Sequence, residues 1–264
     1  MKENIISIYA IVKMPRGLKT VRLQNQRASK MKLINDLLAS LPKCDCPIRR
    51  VCVGLHWTVV ESRYVGMAHN IRASYSKEIA DAGNLIGRSA LSLAQRVISW
   101  NNPESSLGLA TINSLLNPLG EPGSINPYIM EAAKGKTVSI IGRFSCNDEI
   151  RKVAHATHCL EIELVNDELP SFAAEEVIPF SDMVVISASS IINKSLPRLL
   201  ELSKGKECIV LGPSTPMSEI LFGYGVSKLE GIRVIDSDIL FRCVEQGAKA
   251  YNKLKGILPV THYY

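Results

Sequence analysis

Short apolar runs punctuate the second half of the chain at a regular interval. The segments 137–142 (TVSIIG), 159–164 (CLEIEL), 182–187 (DMVVIS), 208–212 (CIVLG) and 232–236 (IRVID) recur every 20 to 26 residues. Such runs suit strands covered on both faces rather than strands with a wet side. Helical stretches separate them. Strict alternation of strand and helix implies right-handed crossovers, so the pattern predicts a Rossmann-like parallel sheet with helices on both faces. With the usual strand order 3-2-1-4-5, the loops after Gly142 and Gly212 would flank one crevice at the topological switch point, where open α/β sheets bind ligands. The turn Gly212-Pro213-Ser214-Thr215-Pro216 would form one wall. Thr215 suits a helix N-cap and Pro216 the first helical position, which would place the Ser214 and Thr215 hydroxyls beside free helix N–H groups. A stiff turn without ligand fits the same residues.

The first half reads differently. Met31, Ile34, Leu37, Leu38 and Leu41 recur at helical spacing within 29–41, and Pro42 ends the pattern. Residues 50–53 and 57–62 read as two strands turning near 54–56. Residues 88–100 look helical, and a further helix starts at Asn102-Pro103-Glu104, with Asn102 as cap, and stops before Pro118. This half is α+β. The Pro- and Gly-dense segment 117–127 (NPLGEPGSINP) reads as a linker. The expected division is a smaller α+β domain over 1–120 and a Rossmann-like α/β domain over 128–264.

Composition narrows the partners. The chain has 264 residues, 46% of them hydrophobic, enough for two modest cores. No apolar run approaches the roughly 20 residues of a membrane helix, and no signal-peptide core opens the chain. Seven scattered cysteines suit reduced thiols, so a cytoplasmic protein is expected. The net charge of +6 is concentrated in residues 1–50, which hold eleven Lys or Arg against three acids. Only Tyr9 offers a stacking aromatic there, which disfavours nucleic acid and leaves a solvated basic face or the docking of an acidic partner surface. A homo-oligomer is left open.

Several residues could carry chemistry. The loop after 137–142 has one glycine where a dinucleotide fold shows Gly-x-Gly-x-x-Gly, so NAD is disfavoured. Glu163, at the expected end of the second strand, sits where an acid can hold ribose hydroxyls, or is a solvated carboxylate. Ser187, Ser189, Ser190 and Asn193 line the turn after the third strand, with Ser195 as a cap. Cys44, Cys46, Cys52 and His56 offer soft ligands without a recognised zinc spacing. His155 and His158, three apart on an expected helix, share a face that could chelate. His56, Trp57 and Thr58 put an imidazole, an indole and a hydroxyl in one hairpin, although Trp57 is equally a core residue. No Gly-x-Ser-x-Gly elbow, Walker loop or His-Glu-x-x-His occurs.

The blocks VGLHWTVV, LGLATINSLLN around Asn113, GKTVSIIGRF, DMVVISASSIINKSL, VLGPSTPM, LFGYGV and LEGIRVID together resemble the bacterial and archaeal family labelled putative heavy-metal chelation, a family of unknown function. The resemblance implies an enolase-like N-terminal domain, without enolase activity, joined to a Rossmann-like domain. It also implies a shared cleft holding a heavy metal, a transition-metal complex or a metal-bearing small molecule. Its residue-by-residue carry-over is His56, Trp57, Thr58, Asn113, Gly142, Phe144, Glu163, Asn193, Gly212, Pro213, Ser214 and Thr215. Two departures stand out: Ser189-Ser190 replace a threonine-rich turn, and Lys194 replaces the glycine after Asn193. Hydroxyls and one carboxylate are poor ligands for a soft ion, which favours an organic ligand that carries the metal. The alternative reading is an enzyme using S-adenosylmethionine or a nucleotide, with adenosine over 142–144 and its ribose on Glu163.

Overall fold

The computed structural model describes residues 31–71, 76–165 and 167–264. Seven of the eleven N-terminal basic residues lie outside them, and with them the expected basic face. Helix α1 (31–39) buries Leu33, Ile34 and Leu37 and ends ahead of Pro42. Strands β1 (Arg50–Val53), β2 (Trp57–Glu61) and β3 (Val65–His69) form an antiparallel sheet in that order. Helix α2 (Ala90–Ala94) continues as a tighter turn, and α3 (Asn102–Leu115) follows. The cap of α3 is Asn101 rather than Asn102, and no side chain caps it: the Asn101 amide spans to Lys77 instead, accepting from its N–H at 2.9 Å and donating to its carbonyl at 3.1 Å. Helix α3 lies so close to β3 that a Cβ on Gly66 would sit 2.2 Å from the Ser114 backbone nitrogen.

The large sheet begins with β4 (Glu121–Pro122), inside the segment read as a linker. It continues through α4 (Asn126–Ala132), β5 (Thr137–Ile141), α5 (Asn147–Val153), β6 (Ala156–Glu161), β7 (Leu169–Pro170), α6 (Ala174–Val177), β8 (Met183–Ser187), α7 (Leu196–Leu202), β9 (Glu207–Leu211), β10 (Lys228–Val234), α8 (Ser237–Glu245) and β11 (Ile257–Tyr263). The spatial order is β4-β11-β10-β9-β8-β5-β6-β7, with β11 antiparallel to both its neighbours and the rest parallel. The fold is α/β with a smaller antiparallel sheet, as the pattern predicts.

The strand order corrects the expectation. The five parallel runs lie 2-1-3-4-5, because β5 pairs with β8 and not with β9. Met183, Val184, Val185 and Ile186 of β8 are all fully buried, a strand that belongs in the middle of a sheet and would be misplaced at the edge that order 3-2-1-4-5 gives it. The switch point therefore falls between the loops after β5 and β8, not those after β5 and β9.

Side chains of successive sheet residues divide between two layers. Val184, Ile186, Cys208 and Val210 join a core that is continuous with α1 and α3, whereas Met183, Val185, Ile209 and Val138 pack under α4 and α5. A third cluster joins Trp57, Val59 and Met67 to Leu240, Phe241 and Val244 of α8. The small sheet is thus covered on one face by α3 and on the other by α8, a helix from the far end of the chain.

Candidate functional site at the junction of the two sheets

The turn after β9 docks against the small sheet. Gly212 takes φ +113°, and the Thr215 N–H (3.0 Å) and Oγ1 (2.7 Å) both donate to its carbonyl. Thr215 is therefore not an N-cap: its hydroxyl closes the turn on itself, and the next helical turn starts only at Glu219, after Ser218. The His69 N–H donates to Ser214 Oγ (2.8 Å), tying β3 to the turn. Asn113, on α3, donates through Nδ2 to the Met67 carbonyl (2.9 Å) and the Ser214 carbonyl (3.1 Å). Its Oδ1 is buried without a partner among the described residues. Asn113, Pro213, Thr215 and Met217 line a cavity of about 20 Å³ there, room for a single water. Val65 and Pro118 also line a second, larger groove of about 400 Å³.

The hairpin residues serve the junction differently. Trp57 is 7% exposed and donates from Nε1 to the Lys249 carbonyl (3.1 Å), with its ring edge-on to His69 at 5.2 Å. Burial lowers the His69 pKa, and the charges of His56 and Lys249 lower it further. Thr58 is wholly buried and its Oγ1 has no partner among the described residues. His56 is half-buried, and its carbonyl accepts from the Asn70 N–H (2.8 Å).

At the switch point, a Cβ on Gly142 (φ +120°) would lie 2.9 Å from Ser187 Cβ and 3.3 Å from the Phe144 ring, so only glycine lets these loops meet. Asn193 is spent locally, its Oδ1 accepting from the Ser195 N–H (3.0 Å) and Oγ (2.7 Å). Ser195 is not bonded as a side-chain cap of α7. Lys194, at φ +65°, buries its amine against α3, donating to Ser105 Oγ (2.6 Å) and the Ile192 carbonyl (2.7 Å). Burial pushes its pKa down to about 8. The loops after both β8 and β9 thus meet the smaller sheet and α3, which places the carboxyl edge of the parallel strands at the junction.

Glu163 stands apart. Strand β6 ends two residues earlier, at Glu161, and Glu163 is exposed in the loop beyond it. Its carbonyl accepts from Arg143, whose guanidinium forks onto Glu168 at 2.6 and 2.5 Å. That bond holds the Glu168 carboxyl below the usual range, while burial raises Glu161.

The metal candidates do not assemble. His155 lies in the turn after α5 and His158 inside β6, so they share no helix, and the strand they enter begins at the edge remote from the ligand loops. No group of three or more His, Cys, Asp or Glu able to hold a metal ion occurs among the described residues. Every Cys and His of the chain lies within those residues, and the undescribed ones add only Glu3 as an acid. Burial pushes the thiol pKa of Cys146 to about 11 and of Cys208 to about 12, holding both as thiols. A bare soft ion is selected by clustered sulfur ligands, and the scattered donors of the described residues do not fit one.

Sequence reasoning misses Met67, His69 and Lys249 at the junction. Strand β3 carries a glycine and a histidine among its apolar residues, which masks its alternation. The departure at Lys194 is the one junction signal visible as a sequence anomaly.

Comparison with known proteins bears on this junction. The DUF364 family model, described as putative heavy-metal chelation, matches residues 126–258, and the DUF4213 model, with the same description, matches 34–116. The chain belongs to the putative heavy-metal chelation family. A DUF364 family protein of unknown function from Desulfitobacterium hafniense is similar at 25% identity and a TM-score of 0.79, covering 89% of this chain and 98% of its own. Another of unknown function, from Pyrococcus horikoshii, shares the fold at 20% identity and a TM-score of 0.71, with the same coverage of both chains. None of the curated proteins matches. The family description thus attaches to both of the segments that meet at Asn113 and Ser214. No helix among the described residues is long and apolar enough to cross a membrane.

Proposed function

We propose that this chelation-family protein binds a small organic ligand able to carry a heavy-metal ion, with the body of the ligand in the larger groove beside Val65 and Pro118 and one polar group reaching toward the small cavity between β3, α3 and the turn after β9. The observation that carries the reading is Asn113: both N–H groups clamp the two sheets together while Oδ1 remains buried, without a partner among the described residues, beside the cavity. A buried amide oxygen without a donor is costly unless a water or ligand supplies one. The family description supplies the metal, and the scattered donor set supports a metal that arrives already chelated. The S-adenosylmethionine or nucleotide alternative leans on Glu163, whose exposure beyond the strand weakens it.

Native mass spectrometry and metal analysis of the gently purified protein test the proposal. The expected result is a small molecule released on denaturation, with metal leaving alongside it. A protein that carries no small molecule, and whose melting temperature is unmoved across a panel of metal chelates, overturns it.

A further inference from the structure

The larger groove beside Val65 and Pro118 has a chemistry of its own. Arg49 precedes β1, Tyr64 turns from β2 into β3, and Arg233 and Ile235 close β10, all lining the groove of about 400 Å³. That is the size of a metabolite site. Among the described residues no acidic side chain lines it. Arg233 donates from Nη2 to the carbonyls of Pro118 (3.2 Å) and Gly120 (3.3 Å), which hold the guanidinium without neutralising it. Among the described residues no carboxylate pairs with Arg233, and Arg49 has only a 3.4 Å contact to Glu61. Other acids nearby are engaged: Asp236 accepts from the Ile239 N–H (2.9 Å) at the head of α8, and Asp238 pairs with Arg50 (2.5 Å). The α8 terminus is therefore already capped by an anion, and recognition falls to the arginines. Tyr64, Val65, Pro118 and Ile235 give the groove an apolar wall, with Ile235 66% exposed to it and to solvent.

Two guanidiniums in one apolar-walled groove favour a charged oxygen fork, because arginine matches carboxylate and phosphate geometry. We propose that the groove binds a small organic oxyanion, a carboxylate or phosphate carried on an apolar ring, with Arg233 and Arg49 as its ion-pairing residues. The inference rests on the cleft being a ligand site and adds the charge and shape of the ligand.

Calorimetric titration of the full chain at low salt tests it, using pyridine-2,6-dicarboxylate and adenosine monophosphate as charged probes. Pyridine-2,6-dimethanol and adenosine are the uncharged counterparts, and inorganic phosphate is the bare head group. At least one charged probe should bind more tightly than its uncharged counterpart, and the affinity should fall as salt is raised. Arg233→Gln and Arg49→Gln should each weaken that probe about tenfold, with Arg233→Lys intermediate. Binding of the dicarboxylate alone marks the ligand as a ring carboxylate; binding of the monophosphate alone marks it as a phosphate ester. Arg233→Gln also loses two carbonyl contacts, so melting curves accompany it, and Arg49→Gln decides the matter if it unfolds. Charged and uncharged probes binding alike, or Arg49→Gln and folded Arg233→Gln binding as wild type, overturns the oxyanion site. The cleft reading fails by its own separate result, the absence of any co-purified small molecule or chelate-induced shift.

Discussion

At Ser214 a single hydroxyl joins two parts of the chain that are far apart in sequence. Its Oγ accepts the His69 N–H in a site where Ser214 is 3% exposed. Ser214→Ala should therefore cost about 1–3 kcal/mol, since the backbone N–H is left buried and unpaired. Thr215→Val should cost less, about 1 kcal/mol, because the Gly212 carbonyl keeps the Thr215 N–H. Denaturant melts of the two variants check the ranking, and a milder Ser214→Ala would reverse it. Lys194 carries a pH dependence. Its folded pKa of about 8 lies below the ordinary 10.5, so between those values the unfolded chain binds more protons and stability rises with pH. The rise should total about 3 kcal/mol. Below pH 8 both states are protonated and the full cost of the buried ammonium remains. The groups facing the amine do not answer it: Ser105 and the Ile192 carbonyl are neutral, and the adjacent Glu104 is paired with Arg96 at 3.1 Å. Cys146 and Cys208 titrate in the opposite sense, so the effect is read as wild type minus Lys194→Met across pH 7 to 10.5. A difference that stays flat with pH refutes the assignment.

Among the elements, β3 and α3 show how a close approach is written in small residues. A Cβ on Gly66 would meet the Ser114 nitrogen at 2.2 Å and the Ala110 carbonyl oxygen at 2.4 Å, both backbone atoms that cannot turn aside. Gly66→Ala should push α3 off the sheet and cost several kcal/mol, more than the roughly 1–3 kcal/mol typical of overpacking. Gly142→Ala should cost about 1–3 kcal/mol from its φ of +120° and the Ser187 contact. Thermal melts of both variants test this, and a wild-type melting temperature for Gly66→Ala would contradict the packing. The same elements show what is legible in the sequence. Runs such as Met183–Ile186 are readable because a doubly covered strand is apolar throughout. Their spatial order is not, because right-handed crossovers permit both arrangements and only the burial of β8 on both sides selects one. Strands β3 and β11 are hidden by Gly66 and Pro259, residues that sequence rules assign to breaks. Of the candidate site, Asn113, Pro213 and Thr215 do converge at the cleft. Glu163 does not, because where β6 ends, at Glu161 rather than 164, is set by its neighbours and not by its own apolar content: pairing with β5 stops at Leu160 and pairing with β7 at Glu161.

Across the whole molecule, the two sheets are not independent bodies. Helix α8 supplies Leu240, Phe241 and Val244 to the face of the small sheet that carries Trp57, Val59 and Met67. The opposite core runs without interruption from α1 and α3 into the faces of β8 and β9. A chain cut at residue 120 would leave that tryptophan face in water, and a chain lacking the first half would expose the inner face of α8. Such mutual coverage predicts one cooperative transition rather than two. Phe241→Ala, on a helix that begins more than a hundred residues past α3, should cost about 3–5 kcal/mol as a buried aromatic lost from the core. Its loss should lower the tryptophan-fluorescence and far-ultraviolet transitions together, because Trp57 reports on the small sheet while circular dichroism is dominated by the large one. Coincident curves in wild type and variant fit a single unit held together at the cleft. If Phe241→Ala instead splits the curves, with fluorescence melting early and dichroism unmoved, the small sheet unfolds alone. The ligand cleft would then be a boundary between separable domains, and its affinity would depend on how often they dock.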